Sequence, residues 1–116
     1  AGLPVDAAQE PEGHVAIDPA TLGVRPGATL FALRVRGDSM VDAGILDRDT
    51  VFLTPREPRP RDIVAALIDG ESTLKRYLPQ RGLPFLRAEN PRYPDLLPAR
   101  ELVIQGVMVG LLRAHA

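Results

Sequence analysis

From residue 31 onward, short apolar runs alternate with clusters of turn-forming residues at fairly regular spacing, the pattern of a small all-β domain. Phe31 to Arg36 reads as a strand, broken by Gly37 to Ser39. Met40 to Ile45 reads as one helical turn or more, and Val51 to Leu53 as a second strand. The segment from Thr54 to Pro60 holds three prolines and predicts a loop. Ile63 to Ile68 is nearly continuous in apolar residues, which marks a buried strand. Asp69-Gly70 follows, a pair that favours positive φ, and Ser72 to Leu78 resumes an extended pattern, so a hairpin is expected. Leu83 to Ala88 predicts a further strand and Asn90 to Pro98 an irregular loop. Leu102 to Leu112 is the most apolar stretch, with Gly106 and Gly110 suggesting bulges or bends. It is also a candidate edge strand that needs covering, which predicts a homodimer through the C-terminal strand region. Residues 1–29 are rich in Pro, Gly, Asp and Glu without a sustained period and read as an irregular arm, leaving 30–116 as the domain proper.

Composition narrows the class. The 116 residues suffice for one domain, and 45% hydrophobic with 25% charged residues is the balance of an ordinary globular protein. Twelve prolines and ten glycines break up any long helix. No apolar run approaches the roughly 20 residues that a membrane helix needs, and no charged-then-apolar leader is visible. The location expected is cytoplasmic. The chain does not begin with Met and reads as a piece of something longer. With no cysteine, a disulfide scaffold, a Cys-ligated metal and thiol catalysis are excluded. A formal net charge of -1 does not mark a nucleic-acid binder.

The rare residues carry the candidate chemistry. Lys75 is the only lysine among 14 basic residues. Arginine is not deprotonated in a protein whereas a buried lysine loses its proton readily, so a position that needs a neutral amine would keep lysine. Chance survival of one surface lysine is the competing reading. Serine occurs at Ser39 and Ser72. Ser39 follows Gly37-Asp38 at a corner that would expose its side chain and gather consecutive backbone N–H groups, as an oxyanion requires. It reads equally well as the N-cap of the turn that follows. Ser72 reads as a turn residue. His14 lies in the arm and His115 is penultimate, so a Ser–His–Asp triad is poorly supported. Lys75, set opposite the apolar run 63–68 by the hairpin, is then the candidate base for Ser39. No metal site, phosphate loop or aromatic nucleic-acid platform is visible, and no cofactor is expected.

A resemblance adds to this. Leu33-Arg34-Val35-Arg36-Gly37-Asp38-Ser39-Met40, with Asp42-Ala43-Gly44-Ile45 and Asp47-Arg48-Asp49, resembles the catalytic segment of LexA-type self-cleaving repressors. Asp62 to Leu67 with Thr73-Leu74-Lys75-Arg76 resembles their lysine segment. Ala88 to Pro94, Ile104 to Gly110 and Gly13 to Pro19 match further stretches, so the likeness covers essentially the whole chain in order. It implies a compact, mostly antiparallel β domain with short helical turns. It implies Ser39 as nucleophile and Lys75 as general base, with the backbone N–H groups of Asp38 and Ser39 as oxyanion donors. Ala1-Gly2 would be the scissile pair. It further implies an SOS-response repressor whose self-cleavage is stimulated by RecA filaments on single-stranded DNA, and operator DNA bound through an N-terminal domain absent from these residues. A UmuD-like accessory subunit of a translesion polymerase shares the domain, and a non-catalytic β-barrel interaction module is the alternative from another class. A signal-peptidase relative would need a membrane anchor.

Overall fold

The computed structural model describes residues 3–6, 14–68, 70–95 and 102–114. Two strands, β1 (Leu3–Asp6) and β2 (His14–Ile17), pair antiparallel as a small separate sheet. The other six form one antiparallel sheet: β3 (Phe31–Arg34), β4 (Thr50–Thr54), β5 (Ile63–Ile68), β6 (Glu71–Tyr77), β7 (Leu86–Arg87) and β8 (Leu102–Leu112), in the order β3-β4-β8-β5-β6-β7. The only helical pieces among the described residues are two 3₁₀ turns, Pro19–Leu22 and Val41–Ala43. The fold is all-β and mostly antiparallel, as expected.

The β5–β6 hairpin follows directly from its sequence. Ile68 pairs with Glu71 across a two-residue link, and Gly70 takes φ +89°, which costs glycine no steric strain. β5 is apolar nearly throughout because both its faces are covered. Ala65 joins a core with Leu33, Met40, Ile45, Val51 and Leu53, while Val64 and Ala66 join a second core with Leu86 and Val107. A third cluster, Ala32 and Phe52, is capped by Ile17 and Leu22.

The described parts of the 1–29 lead-in, residues 3–6 and 14–29, hold more regular structure than the pattern suggested. Its strands span four residues each, too short for a period to stand out among prolines, glycines and acids. Asp18 caps the first 3₁₀ turn by accepting from the Ala20 N–H, and that turn delivers Leu22 to the third core cluster. The strand expected over 83–88 shrinks to Leu86–Arg87, preceded by an isolated bridge between Gln80 and Leu83. Pro84 has no N–H to extend the ladder. The edge assignment of Leu102 to Leu112 is corrected. β8 pairs with β5 through Leu102–Val107 and with β4 through Val107–Leu112, so it runs through the middle of the sheet. Its high apolar content reflects burial rather than an uncovered edge. The two bulges foreseen at its glycines are present: Gln105 and Val109 are the extra residues where the β5 and β4 registers shift.

Candidate active site

Ser39 stands on the loop that leaves β3. The base of that loop is closed by two backbone bonds, Val35 N–H to the Asp49 carbonyl and Arg48 N–H to the Val35 carbonyl, both 2.8 Å. Gly37 has φ +83°, and its N–H donates to Asp47 Oδ1 at 2.8 Å. Behind Ser39, Met40 and Ile45 plug the main core at 2% and 1% exposure, anchoring both ends of the 3₁₀ turn. Asp49 is 1% exposed and is held by Arg113, whose Nε and Nη2 reach its two oxygens at 2.8 and 2.7 Å. The same Nη2 donates to the Gly44 carbonyl, while Asp49 accepts the Leu46 N–H. Arg113 holds the Asp49 carboxyl below the usual carboxylate range. The loop after Ser39 is thus pinned to the strand end beyond β8.

Lys75 sits on β6 opposite Val64 and is 7% exposed. Its Nζ donates to Thr73 Oγ1 at 2.8 Å and to the Leu74 carbonyl at 3.0 Å, and lies 3.0 Å from Ser39 Oγ. Strand alternation puts Thr73 and Lys75 on one face, so their contact is built into the register. All three partners are neutral. Burial with no carboxylate to offset it pushes the Lys75 ammonium below the usual lysine range. Ser39 does not cap the turn that follows: the cap position is Met40, and no side chain caps there. A cavity of about 210 Å³ opens beside the pair, with Leu33, Val35, Met40, Val51 and Leu74 as its apolar wall.

A second segment braces the Ser39 loop. Arg76, next to Lys75, is ion-paired to Glu89 at 2.9 Å. The Glu89 carbonyl accepts the Asp42 N–H at 2.8 Å, and the Glu89 N–H approaches Met40 Sδ at 3.4 Å. Asn90 Nδ2 donates to the Asp38 carbonyl at 3.0 Å, and the Tyr93 hydroxyl donates to Asp38 Oδ1 at 2.5 Å. That bond raises the Tyr93 pKa above its ordinary value.

The structure therefore brings Ser39, Lys75 and the Asp38 backbone together. Ser72 is not a turn residue but part of β6; its hydroxyl donates to Gln105 Oε1 at 2.9 Å, and the residue lines the same cavity as Ser39 and Lys75. The backbone of His14 lies in β2. Ala1, Gly2 and His115 lie outside the described residues. Sequence reasoning missed Asn90, Tyr93 and Arg113 as parts of the site. Among the described residues no three His, Asp or Glu groups converge to hold a metal, and no helix is long and apolar enough to cross a membrane.

Compared with known protein families, residues 1–109 match the Peptidase S24-like family. The chain belongs to that family. Curated relatives of this S24-like chain include the LexA repressor of Verrucomicrobium spinosum, 59% identical over 115 residues that cover 99% of this chain and 57% of that protein. The LexA repressor of Opitutus terrae is 47% identical, covering 97% and 56% respectively. The LexA repressor of Ruegeria sp. is 41% identical, covering 99% and 48%. The S24-like chain thus spans about half the length of the relatives it matches.

Proposed function

We propose that this chain is the self-cleavage and dimerisation part of a LexA-type SOS repressor, acting as a Ser–Lys peptidase on its own Ala1–Gly2 bond. The observation that carries the reading is the 3.0 Å approach of a buried lysine without a carboxylate partner to a serine at a cavity mouth. A neutral amine has two N–H donors and one lone pair. Thr73 Oγ1 and the Leu74 carbonyl take the two donors, which leaves the lone pair for the Ser39 hydroxyl proton. Ser39 Oγ attacks the Ala1 carbonyl carbon while Lys75 Nζ takes the proton. The backbone N–H groups of Asp38 and Ser39 receive the developing oxyanion. Lys75 then gives its proton to the Gly2 amine as the C–N bond breaks, and water releases the Ala1 acyl group from Ser39 by the same base. The apolar cavity wall suits small aliphatic side chains flanking the scissile alanine.

The repressor relatives favour operator binding through a preceding domain over a role as a polymerase accessory subunit. Cleavage would part that domain from its dimeriser, and a RecA filament on single-stranded DNA would stimulate it by favouring the conformer with the target segment in the site. Such a population shift is limited by the filament's differential affinity for that conformer. The cytoplasm is the compartment this role requires.

The test is self-cleavage of the full-length protein from pH 6 to 10, read by gel at two protein concentrations tenfold apart. The rate is expected to be first order, independent of concentration, and to rise with pH until Lys75 is deprotonated. Ser39→Ala and Lys75→Arg are expected to be inactive throughout, because guanidinium offers no free base at accessible pH. Retained cleavage in Lys75→Arg, or a rate that scales with concentration, overturns the reading.

A further inference from the structure

The mechanism above needs the Ser39 N–H to be aimed before the substrate arrives, and the loop that carries it has little regular structure of its own. Residues 35–40 belong to no strand or helix. Among the described residues, the N–H groups of Asp38 and Ser39 donate to no backbone carbonyl. They are free for an oxyanion, but nothing on their own side of the peptide fixes them. The hold comes from the opposite side. The Asp38 carbonyl accepts Asn90 Nδ2 at 3.0 Å, and the Val41 N–H of its own turn reaches the same oxygen only at 3.3 Å. All described peptides are trans, and in a trans peptide the C=O and the following N–H point in opposite directions. Fixing the Asp38 carbonyl therefore fixes the direction of the Ser39 N–H.

Asn90 is built for this task. It is 8% exposed, and both ends of its amide are used: Oδ1 accepts the Arg92 N–H at 3.0 Å while Nδ2 faces Asp38. Only one orientation of the amide satisfies a donor on one side and a carbonyl on the other, so its geometry is unambiguous. Its backbone is closed into a turn by Tyr93 N–H to the Asn90 carbonyl at 3.0 Å. That turn presents the Tyr93 hydroxyl to the Asp38 carboxylate, a second hold on the same residue. The preceding residue, Glu89, is tied by Arg76 to the strand that carries Lys75. The segment 89–93 thus references the Ser39 loop to β6.

We propose that Asn90, supported by Tyr93, is a positioning residue that aims the Ser39 N–H at the oxyanion by holding the Asp38 carbonyl from behind. The inference rests on the self-cleavage reading and adds residues to it. It concerns the tetrahedral state alone: ground-state binding of the target segment and proton transfer to Lys75 do not pass through Asn90.

The test uses the full-length protein and Asn90→Asp, which keeps the shape and the acceptor for the Arg92 N–H but has no donor for the Asp38 carbonyl. Direct loss of an oxyanion donor costs about 100- to 1000-fold in rate. A misaimed donor is expected to lower the high-pH plateau of self-cleavage by about 10- to 100-fold. The pH midpoint is expected to move upward if at all, because the variant adds a negative charge on the Lys75 side of the site, so the plateau carries the test. A second readout separates aim from general damage. A peptide aldehyde ending at Ala1 adds the Ser39 O–H across its carbonyl to give a tetrahedral hemiacetal, whereas the matching peptide amide binds without that step. Both compete with the protein's own target segment, so the ratio of their affinities is free of that competition. The ratio is expected to fall in parallel with the plateau while amide binding is unchanged. A wild-type plateau in Asn90→Asp, or equal losses for aldehyde and amide, each overturn the proposal. Should Asn90→Asp fail to fold, Tyr93→Phe removes only a hydroxyl at an exposed position. It is then expected to lower plateau and ratio by about 2- to 10-fold at an unmoved midpoint, and wild-type values overturn the proposal. Cleavage persisting in Ser39→Ala or Lys75→Ala would instead sink the dyad itself.

Discussion

At the scale of single residues, the unusual feature is a lysine held in a nearly closed site by neutral groups. An unfolded lysine titrates near ~10.4, and burial holds the folded-state value lower. Between the two values the unfolded chain binds a proton that the folded chain does not, so stability rises with pH across that window. Below the folded value the penalty is present in full, at about 1.4 kcal/mol for each unit of depression. Lys75→Ala removes it. In a cleavage-dead Ser39→Ala background, urea unfolding is expected to find Lys75→Ala at least as stable at pH 7. Its advantage should shrink as pH approaches ~10.4, because the lysine-bearing protein alone gains. A clear loss of stability at pH 7 would mean that Lys75 sits charged and paired. This residue was legible before the fold because a lone lysine among arginines is a compositional signal. Asn90 was not. Its functional contact lies 52 positions away in the chain, and its neighbours, prolines and a tyrosine, signal only a turn.

At the scale of elements, β8 decides how the sheet is assembled. Its two glycines do different work. A Cβ on Gly106 would come within 2.8 Å of two atoms of the Phe31 ring and 3.2 Å of Leu53 Cβ. A flat ring wedged against the core cannot swing aside without moving β3. A Cβ on Gly110 would meet the Leu22 tip, Cδ2, at 2.3 Å, but that tip ends a flexible side chain on a 3₁₀ turn. Gly106→Ala is therefore expected to cost about 1–3 kcal/mol, as overpacked cores do, and Gly110→Ala less. Urea midpoints at constant m-value check both, and the reverse order would place the tighter constraint at Leu22. The sequence showed the full length of β8 and its irregularities, because eleven residues so rich in apolar side chains admit few alternatives. It did not show where β8 lies in the sheet. Strand order is settled by partners far apart in sequence, and a run apolar on both faces fits a central strand at least as well as an edge.

At the scale of the molecule, the question is how two copies would meet. Placing β8 in the middle of the sheet removes the simple argument that it is an open edge, but leaves a subtler one. β5 covers one side of its first half and β4 the other side of its second half, so each half pairs with only one of them. Val103 and Leu112, near its two ends, are 48% and 46% exposed and are available to a partner strand. An antiparallel contact between β8 and its own copy is self-complementary, so one two-fold axis would cover both protomers at once. A symmetric homodimer is the expected state. Sedimentation equilibrium should find it in the full-length protein. Val103→Asp and Leu112→Asp should each weaken association about tenfold or more, the effect of ~1.4 kcal/mol lost from the contact. Neither residue lines the cavity beside the Ser39–Lys75 pair, and on the proposed mechanism nucleophile, base and target belong to one chain. The first-order rate of self-cleavage should therefore be unchanged in both variants even where the dimer has come apart. Only monomer at high concentration would defeat the dimer. Unaltered association in both variants would move the contact off β8, and a cleavage rate that fell with dissociation would mean that the partner copy helps to complete the site.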